Sequence, residues 1–346
     1  MTTRERPRRV TIGDVARHAG VSTTAVSKVL RSAYGVSPAM RDRVKAAIEE
    51  LGYRPHAAAR AMRGRTFTIG VLLPDLRNPF FPDILDGLSE QLAGTDYQVI
   101  MVQGGPDIEA ETRAIDALVD RQVDGILMIA PRVRRARLEE VAAQMPTVVL
   151  GLHGKSAVYD VVHDDDELGA ELVVRHLIGL GHRRIAHIGN TPGRRERTSG
   201  MLETIRAETY ERVMREHGLE SEIAVAQAAY TEEGGYLGAR ELLARSPRPT
   251  AIFAGADLAA LGALRALHEA GLSVPADMSL AGYDNTRLAA LSNISLTSVD
   301  QDGAVMGRMA GRLLLERIEG RMSSVRFSVT PALVPRRSTA PPAPGA

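Results

Sequence analysis

Apolar residues in the first fifty positions recur at helical spacing in three short blocks. Ile12, Val15, Ala16 and Ala19 share one face, Val26 and Val29 with Leu30 a second, and Val44, Ala47, Ile48 and Leu51 a third, which predicts three helices. The polar punctuation agrees. Thr11 with Asp14 three residues later fits a capping box, Gly20 suits a left-handed stop, Ser22 can cap the second helix, and Ser37–Pro38 with Gly52 brackets the third. The second helix turns Thr23, Thr24, Ser27, Lys28 and Arg31 away from its apolar side. Small hydroxyls and cations on a short helix suit a DNA major groove, where they reach base edges and phosphates. An ordinary helical hairpin with a solvated polar face shares the pattern.

From Phe67 the period changes. Short apolar runs at 69–74, 97–103, 124–130 and 147–151 alternate with helical stretches at 80–93, 107–121 and 134–144, and the runs resume at 184–190, 250–255 and 278–284. Strands that alternate with helices imply parallel sheets covered on both faces, and the number of strands exceeds one ordinary sheet. The expected architecture is a small all-α helix-turn-helix domain followed by an α/β core of two lobes. The boundaries are an arm over 1–9, the helical domain over 10–53, a linker over 54–66, the core over 67–337 and a disordered Pro/Ala-rich tail over 338–346. The linker, with Pro55 and a run of alanines, favours helix but is too short to be stable alone, so it reads as a conditional helix or as a plain basic connector.

Charge separates these parts. Residues 1–65 hold 14 Lys/Arg against 5 Asp/Glu, a balance of +9, and the remainder carries −8, so a formal net charge of +1 conceals a basic N-terminal segment. That is the footprint of a segment that meets a polyanion. The absence of cysteine excludes disulfides, thiolate metal sites and a catalytic thiol. The nine histidines have no metal-ligand spacing, no cofactor motif is present, and the start lacks an apolar signal core, so the reading is a cytoplasmic protein without a membrane role.

Ligands of α/β lobes bind beyond the carboxyl ends of strands. Residues that follow strands here include Asn78, Phe80 and Phe81, then Asp164 and Asp165, Asp257, and Asp284. Carboxylates and amides orient hydroxyls, and aromatic faces pack against a ring, so the group suits a hydroxyl-rich small molecule. Each carboxylate taken singly is also a plausible helix cap.

Several of these motifs occur together in order: TIGDVARHAGVSTTAVSKVL, VSPAMRDRVKAAIEELGYRPHAAARAMR, TIGVLLPDLRNPFF, LGHRRIAHIG, RPTAIFAGADLAALGAL and MSLAGYDN. Over about residues 10–337 the chain resembles the lactose-repressor/galactose-repressor family of bacterial transcription regulators. The resemblance implies a hinge helix at 54–66 and a core like type I periplasmic sugar-binding proteins, acting as a homodimer or tetramer on palindromic operator DNA. It places Thr23, Thr24 and Lys28 in the base-reading set, with Thr11, Ser22 and Ser27 capping or touching phosphates. Arg31, His56 and Ala59 fall at further DNA-facing positions, and Met62 stands where a leucine commonly wedges into the minor groove. In the core it implies effector binding by Arg206 and Asp284, with Tyr230 as an aromatic wall and Gln301 nearby. Two departures stand out: Ala256 replaces an asparagine common in sugar-responsive members, and Thr209 replaces a usual glycine. A longer loop before Arg206 carries Arg194, Arg195 and Arg197; it reads first as a solvated loop, and in a sharper alternative as favouring an anionic effector such as a sugar phosphate or acid.

The function expected is therefore a DNA-binding regulator, a repressor, gated by a sugar or sugar derivative. A solute receptor without DNA function is the alternative, against which the basic helical segment weighs. An enzyme is disfavoured by the lack of a dinucleotide loop, a P-loop or a nucleophile elbow.

Overall fold

A computed structural model describes residues 10–30, 34–53, 65–105, 107–189 and 202–343. They fall into two compact units that divide between Thr66 and Phe67.

The first unit holds α1 (Ile12–His18), α2 (Thr23–Leu30) and α3 (Pro38–Leu51). The caps are those the sequence dictates. The Thr11 and Asp14 side chains satisfy each other's backbone amides at 3.3 and 2.9 Å, Ser22 Oγ accepts from the Ala25 amide at 3.1 Å, and Ser37 caps α3 through the Met40 amide. Gly20 at φ +65° and Gly52 at φ +61° supply the left-handed stops. Val15, Val26, Val44 and Tyr53 pack a small common core with alanines where the helices approach, and His18 Nε2 meets Glu50 at 2.7 Å to tie α1 to α3.

The second unit begins with β1 (Thr68–Leu73), α4 (Phe80–Leu92), β2 (Gln98–Gln103), α5 (Ile108–Asp120), β3 (Gly125–Ile129), α6 (Arg135–Ala142), β4 (Thr147–Leu150) and β5 (Asp160–Asp164). The chain then crosses into a second lobe of α7 (Asp166–Gly179), β6 (Ile185–Gly189), α8 (Leu202–Glu216), β7 (Ala224–Gln227), α9 (Glu232–Leu243), β8 (Ala251–Ala254), α10 (Asp257–Glu269), β9 (Ser279–Tyr283) and β10 (Thr297–Asp300). It returns through α11 (Gly303–Ile318) and β11 (Arg326–Val329) to the first sheet, and crosses a third time to β12 (Ala332–Val334). The sheet orders are β11-β5-β4-β3-β1-β2 and β12-β10-β9-β8-β6-β7. All described pairings are parallel except β10 with β12. Parallel strands point their carboxyl ends the same way, so the turns after them gather along one edge of each lobe. α11 packs closely on α4 because Gly307 and Gly87 bring the backbones together: a Cβ at Gly307 would lie 1.9 Å from the Ile84 carbonyl oxygen.

Over residues 338–343 the chain corrects the expectation of a disordered tail, and 344–346 lie outside the described residues. Ser338 is buried, its Oγ accepts from the Thr297 amide at 2.8 Å and donates to the Leu280 carbonyl at 2.6 Å. Thr339 Oγ1 lies 3.0 Å from His176 Nε2, and the Ala340 amide donates to Ser279 Oγ at 3.0 Å. The segment is held by polar groups that complete the hydrogen bonding of β9 and β10, which is why the lack of apolar periodicity misled. Ser338→Ala is expected to cost about 1–3 kcal/mol, because a buried amide and carbonyl lose their partner. Urea unfolding checks this, and a change below about 0.5 kcal/mol would mean the segment docks without contributing to stability.

Candidate functional site

In the first unit α2 buries Val26 and Val29 and leaves Thr23, Thr24 and Lys28 exposed, with Ser27 half-buried between them. Four residues at i, i+1, i+4 and i+5 form one continuous polar strip on a helix whose other side is fixed to α1 and α3. Thr11 and Ser22 are engaged as caps, and the Thr11 contacts hold the Asp14 carboxyl down at about 2. Arg31, His56, Ala59 and Met62 lie outside the described residues, as do Arg194, Arg195 and Arg197.

In the second unit a cavity of about 660 Å³ opens between the lobes at the carboxyl ends of both sheets. From the first lobe, Asn78, Phe80 and Phe81 come from the β1–α4 turn, where Asn78 Oδ1 accepts from the Phe80 amide at 3.0 Å and the two rings sit 6.5 Å apart. Asp164 arrives at the end of β5. From the second lobe come Arg206 on α8, Tyr230 before α9, Asp284 after β9 and Gln301 after β10. Eight of the ten effector residues expected from the sequence therefore meet in one space.

Arg206 is the buried hub. Its Nε donates to Asp166 Oδ1 at 2.6 Å, its Nη1 to the Gly255 carbonyl at 2.7 Å, and its guanidinium lies 3.5 Å from the centroid of the Tyr283 ring. Asp166 takes a second partner, His153 Nε2, at 2.6 Å. Burial opposes the Asp166 charge, but Arg206 and His153 outweigh it and hold this carboxyl below the usual range. Tyr283 in turn donates its hydroxyl to Asp164 Oδ2 at 2.6 Å. Burial, with Asp166 nearby, pushes Asp164 up to about 7.

Asp284 sits on a strained stretch of backbone that its surroundings hold. Its φ of +116° is one that L side chains rarely adopt, and Asn285 follows at +51°. Gln301 Nε2 donates to Asp284 Oδ1 at 2.6 Å, while buried Oδ2 has no partner. The Tyr230 hydroxyl and Glu203 Oε2 are likewise buried without partners. Three unfilled polar atoms on one cavity wall are costly unless something enters to meet them.

Two expected residues do not reach the cavity. Asp165 caps α7, accepting from the Leu168 amide at 3.0 Å, and borders a separate groove with His153 and His163. Asp257 is buried behind Asp284, where its carboxylate accepts from the Thr286 amide, Thr286 Oγ1 and Ser298 Oγ at 2.6–2.9 Å. Unfilled donors captured both carboxylates. Sequence reasoning missed Asp166 and Glu203. Glu203 lies one helical turn before Arg206, a spacing that would have placed it on the same face. Asp166 had no such signal in the run Asp164–Asp165–Asp166.

Among the described residues no three His, Asp or Glu side chains converge as a metal-ligand set, and no helix is long and apolar enough to cross a membrane. His187 is buried, with Nδ1 2.9 Å from the Phe253 carbonyl, and burial lowers it to about 4, so it serves the core as a neutral ring.

Known proteins give these features a context. Residues 11–56 match the model for bacterial regulatory proteins of the lacI family, and residues 174–339 match a periplasmic binding protein-like domain. The HTH-type transcriptional repressor PurR of Erwinia tasmaniensis is 36% identical over 337 residues, covering 95% of this chain and 97% of its own. The ribose operon repressor of Escherichia coli is 33% identical over 333 residues, 95% and 99% of the two chains. A crystal structure of the lac repressor dimer bound to operator and the anti-inducer ONPF superimposes with a TM-score of 0.80 at 26% identity, over 96% of this chain and all of that one. Likeness at this identity over nearly the whole of both chains embraces the capped three-helix unit and the two-sheet core alike, and the chain belongs to the lacI family of bacterial regulatory proteins.

Proposed function

We propose that this chain is a transcriptional repressor that grips palindromic operator DNA as a homodimer and is controlled by a small molecule bound between the lobes of its core. The observation that carries the reading is the pairing, in one chain, of a capped helical unit whose α2 presents Thr23, Thr24 and Lys28 with a cavity wall of three unpartnered polar atoms. One such helix spans only a few base pairs, so a useful site needs two copies related by a two-fold axis. Met62 wedges the minor groove at the operator centre in this reading, as an apolar and pliable side chain can. A ligand acts by favouring one arrangement of the lobes over another, and its differential affinity sets the size of the response. The protein works where the chromosome is, in the cytoplasm.

Selection of binding sites from random duplex DNA, followed by mobility shifts at several salt concentrations, tests this directly. The expected product is an inverted repeat bound with a steep salt dependence. Asp284→Ala is expected to leave operator affinity within about threefold and to abolish the shift in that affinity caused by the ligand. Loss of operator binding as deep as that of Lys28→Ala would assign Asp284 to the scaffold instead.

A further inference from the structure

Among the described residues, the charged side chains around the cleft do not balance. Three arginines reach its wall, and each already has a carboxylate: Arg77 has Asp75 at 2.6 Å, Arg132 has Glu111 at 3.2 Å, and Arg206 has Asp166 at 2.6 Å. Three further carboxyl groups, Asp164, Glu203 and Asp284, line the same space and have no ion-pair partner among the described residues. The side chains that donate to them, Tyr283 to Asp164 and Gln301 to Asp284, are neutral. Glu203 Oε2 and Asp284 Oδ2 accept nothing, and the Tyr230 hydroxyl, unpartnered itself, lies in the field of both carboxyls.

A buried carboxylate needs both a counter-charge and filled lone pairs. A neutral polyol supplies donors but no charge. A phosphate or carboxylate ligand adds a like charge to the excess. An ammonium group supplies both needs at once, with three N–H donors and a full positive charge.

We propose that the ligand of this cleft is a small hydroxyl-bearing amine, bound as its ammonium ion by Asp284 and Glu203, with Asp164 and the Tyr230 hydroxyl receiving its hydroxyl groups. The inference rests on the reading of the cleft as a ligand site and names the chemistry that site selects. Phe80 and Phe81 supply apolar surface for the carbon skeleton. The rival chemistry, an anionic ligand drawn by Arg194, Arg195 and Arg197, makes opposite predictions throughout.

Affinity for such a cation rises with pH while the carboxyls ionise. Asp164 faces Asp166, Arg206, His153 and Tyr283; Asp284 faces Asp257, Arg206, Asp164 and Gln301; Glu203 faces Arg206, Asp166 and Arg132. Burial raises all three, Asp164 to about 7, so an ammonium ion, which favours the ionised carboxyls, binds in competition with their protons. An anion reverses the sign, since it binds best when those protons stay.

Thermal shift and isothermal titration on the full-length protein test this with matched sets: pentoses and hexoses, their amino-deoxy counterparts, and their phosphate esters and aldonic acids. The expected result is that an amino-deoxy sugar binds at least tenfold more tightly than its neutral parent, with affinity rising from pH 5.5 to 7.5. Asp284→Asn and Glu203→Gln, which keep shape and remove charge, should each cost tenfold or more for the amine and under threefold for the parent. Neutral parents that bind as tightly as the amines would overturn the proposal while leaving the cleft reading in place. So would tightest binding by a phosphate ester or acid that is lost in the Arg194/Arg195/Arg197 triple-alanine variant. Binding by no member of any set would count against the proposal and the cleft reading together.

Discussion

Asp166→Ala is expected to destabilise the protein by about 3–5 kcal/mol and to abolish its ligand response. Asp166 is fully buried and bridges the Arg206 guanidinium at 2.6 Å and the His153 ring at 2.6 Å. Removing the carboxylate strands the Arg206 guanidinium in a site with 2% exposure, and an uncompensated buried charge carries a penalty of about that size. The opposite deletion, Arg206→Ala, strands Asp166 in turn, so neither is a clean probe of ligand contact, and Asp284 serves that purpose better. The neighbouring Asp165→Ala is the control: it removes a helix cap at the surface and should cost only about 1 kcal/mol. The pH dependence follows the direction of each shift. Asp166 is depressed on folding, so its contribution is present above the unfolded carboxylate range and is lost as the pH falls through its lower folded value. Asp164 is raised to about 7, so its contribution has the opposite sign: stability from this group is full below the unfolded range near 4 and fades as the pH rises through 7. Urea unfolding of the parent and of the Asp166, Asp165 and Asp164→Asn variants between pH 3 and 8 measures all of this. Equal losses for the two variants would remove the Arg206–Asp166–His153 network from any account of the fold.

Much of this architecture is legible because its elements are patterned by burial alone. The strands β1, β3, β4, β6, β8 and β9 are central in their sheets and read as continuous apolar runs, as strands covered on both faces must. β7, β11 and β12 lie at sheet edges or pair with few partners and lack that signature, so none was seen in the sequence. β5 was hidden differently: Asp160, His163 and Asp164 punctuate it, and they are buried by specific partners such as Arg321 on Asp160, which no local pattern encodes. The same distinction runs through the cleft. Residues at strand ends were found from position alone, whereas choosing among Asp164, Asp165 and Asp166 required knowing which backbone amide, guanidinium or hydroxyl each would meet. Asp257 shows the limit most clearly. Its place after a strand suggested the ligand site, yet three donors from Thr286 and Ser298 claim its oxygens.

The strip on α2 carries the other large effect. Thr23, Thr24 and Lys28 are exposed while Val26 and Val29 anchor the helix, so alanine at the exposed positions should leave the melting temperature nearly unchanged. Thr23→Ala/Thr24→Ala is expected to weaken the selected operator by about a hundredfold or more, because base-edge contacts are worth about 1–3 kcal/mol each and a dimer makes them twice. The same variant should bind random duplex almost normally, with its salt slope intact, since hydroxyls neutralise no phosphate. Lys28→Ala should behave differently. Each half-site loses a cation as well as a base-reading side chain, so affinity falls on random DNA and further on the operator, and the salt slope shallows by about two across the dimer. A Thr23/Thr24 variant that holds the operator within threefold of the parent would show that this face of α2 does not read bases. Sequence preference would then have to come from the bending of the DNA, and the sites selected by the two proteins would be the same.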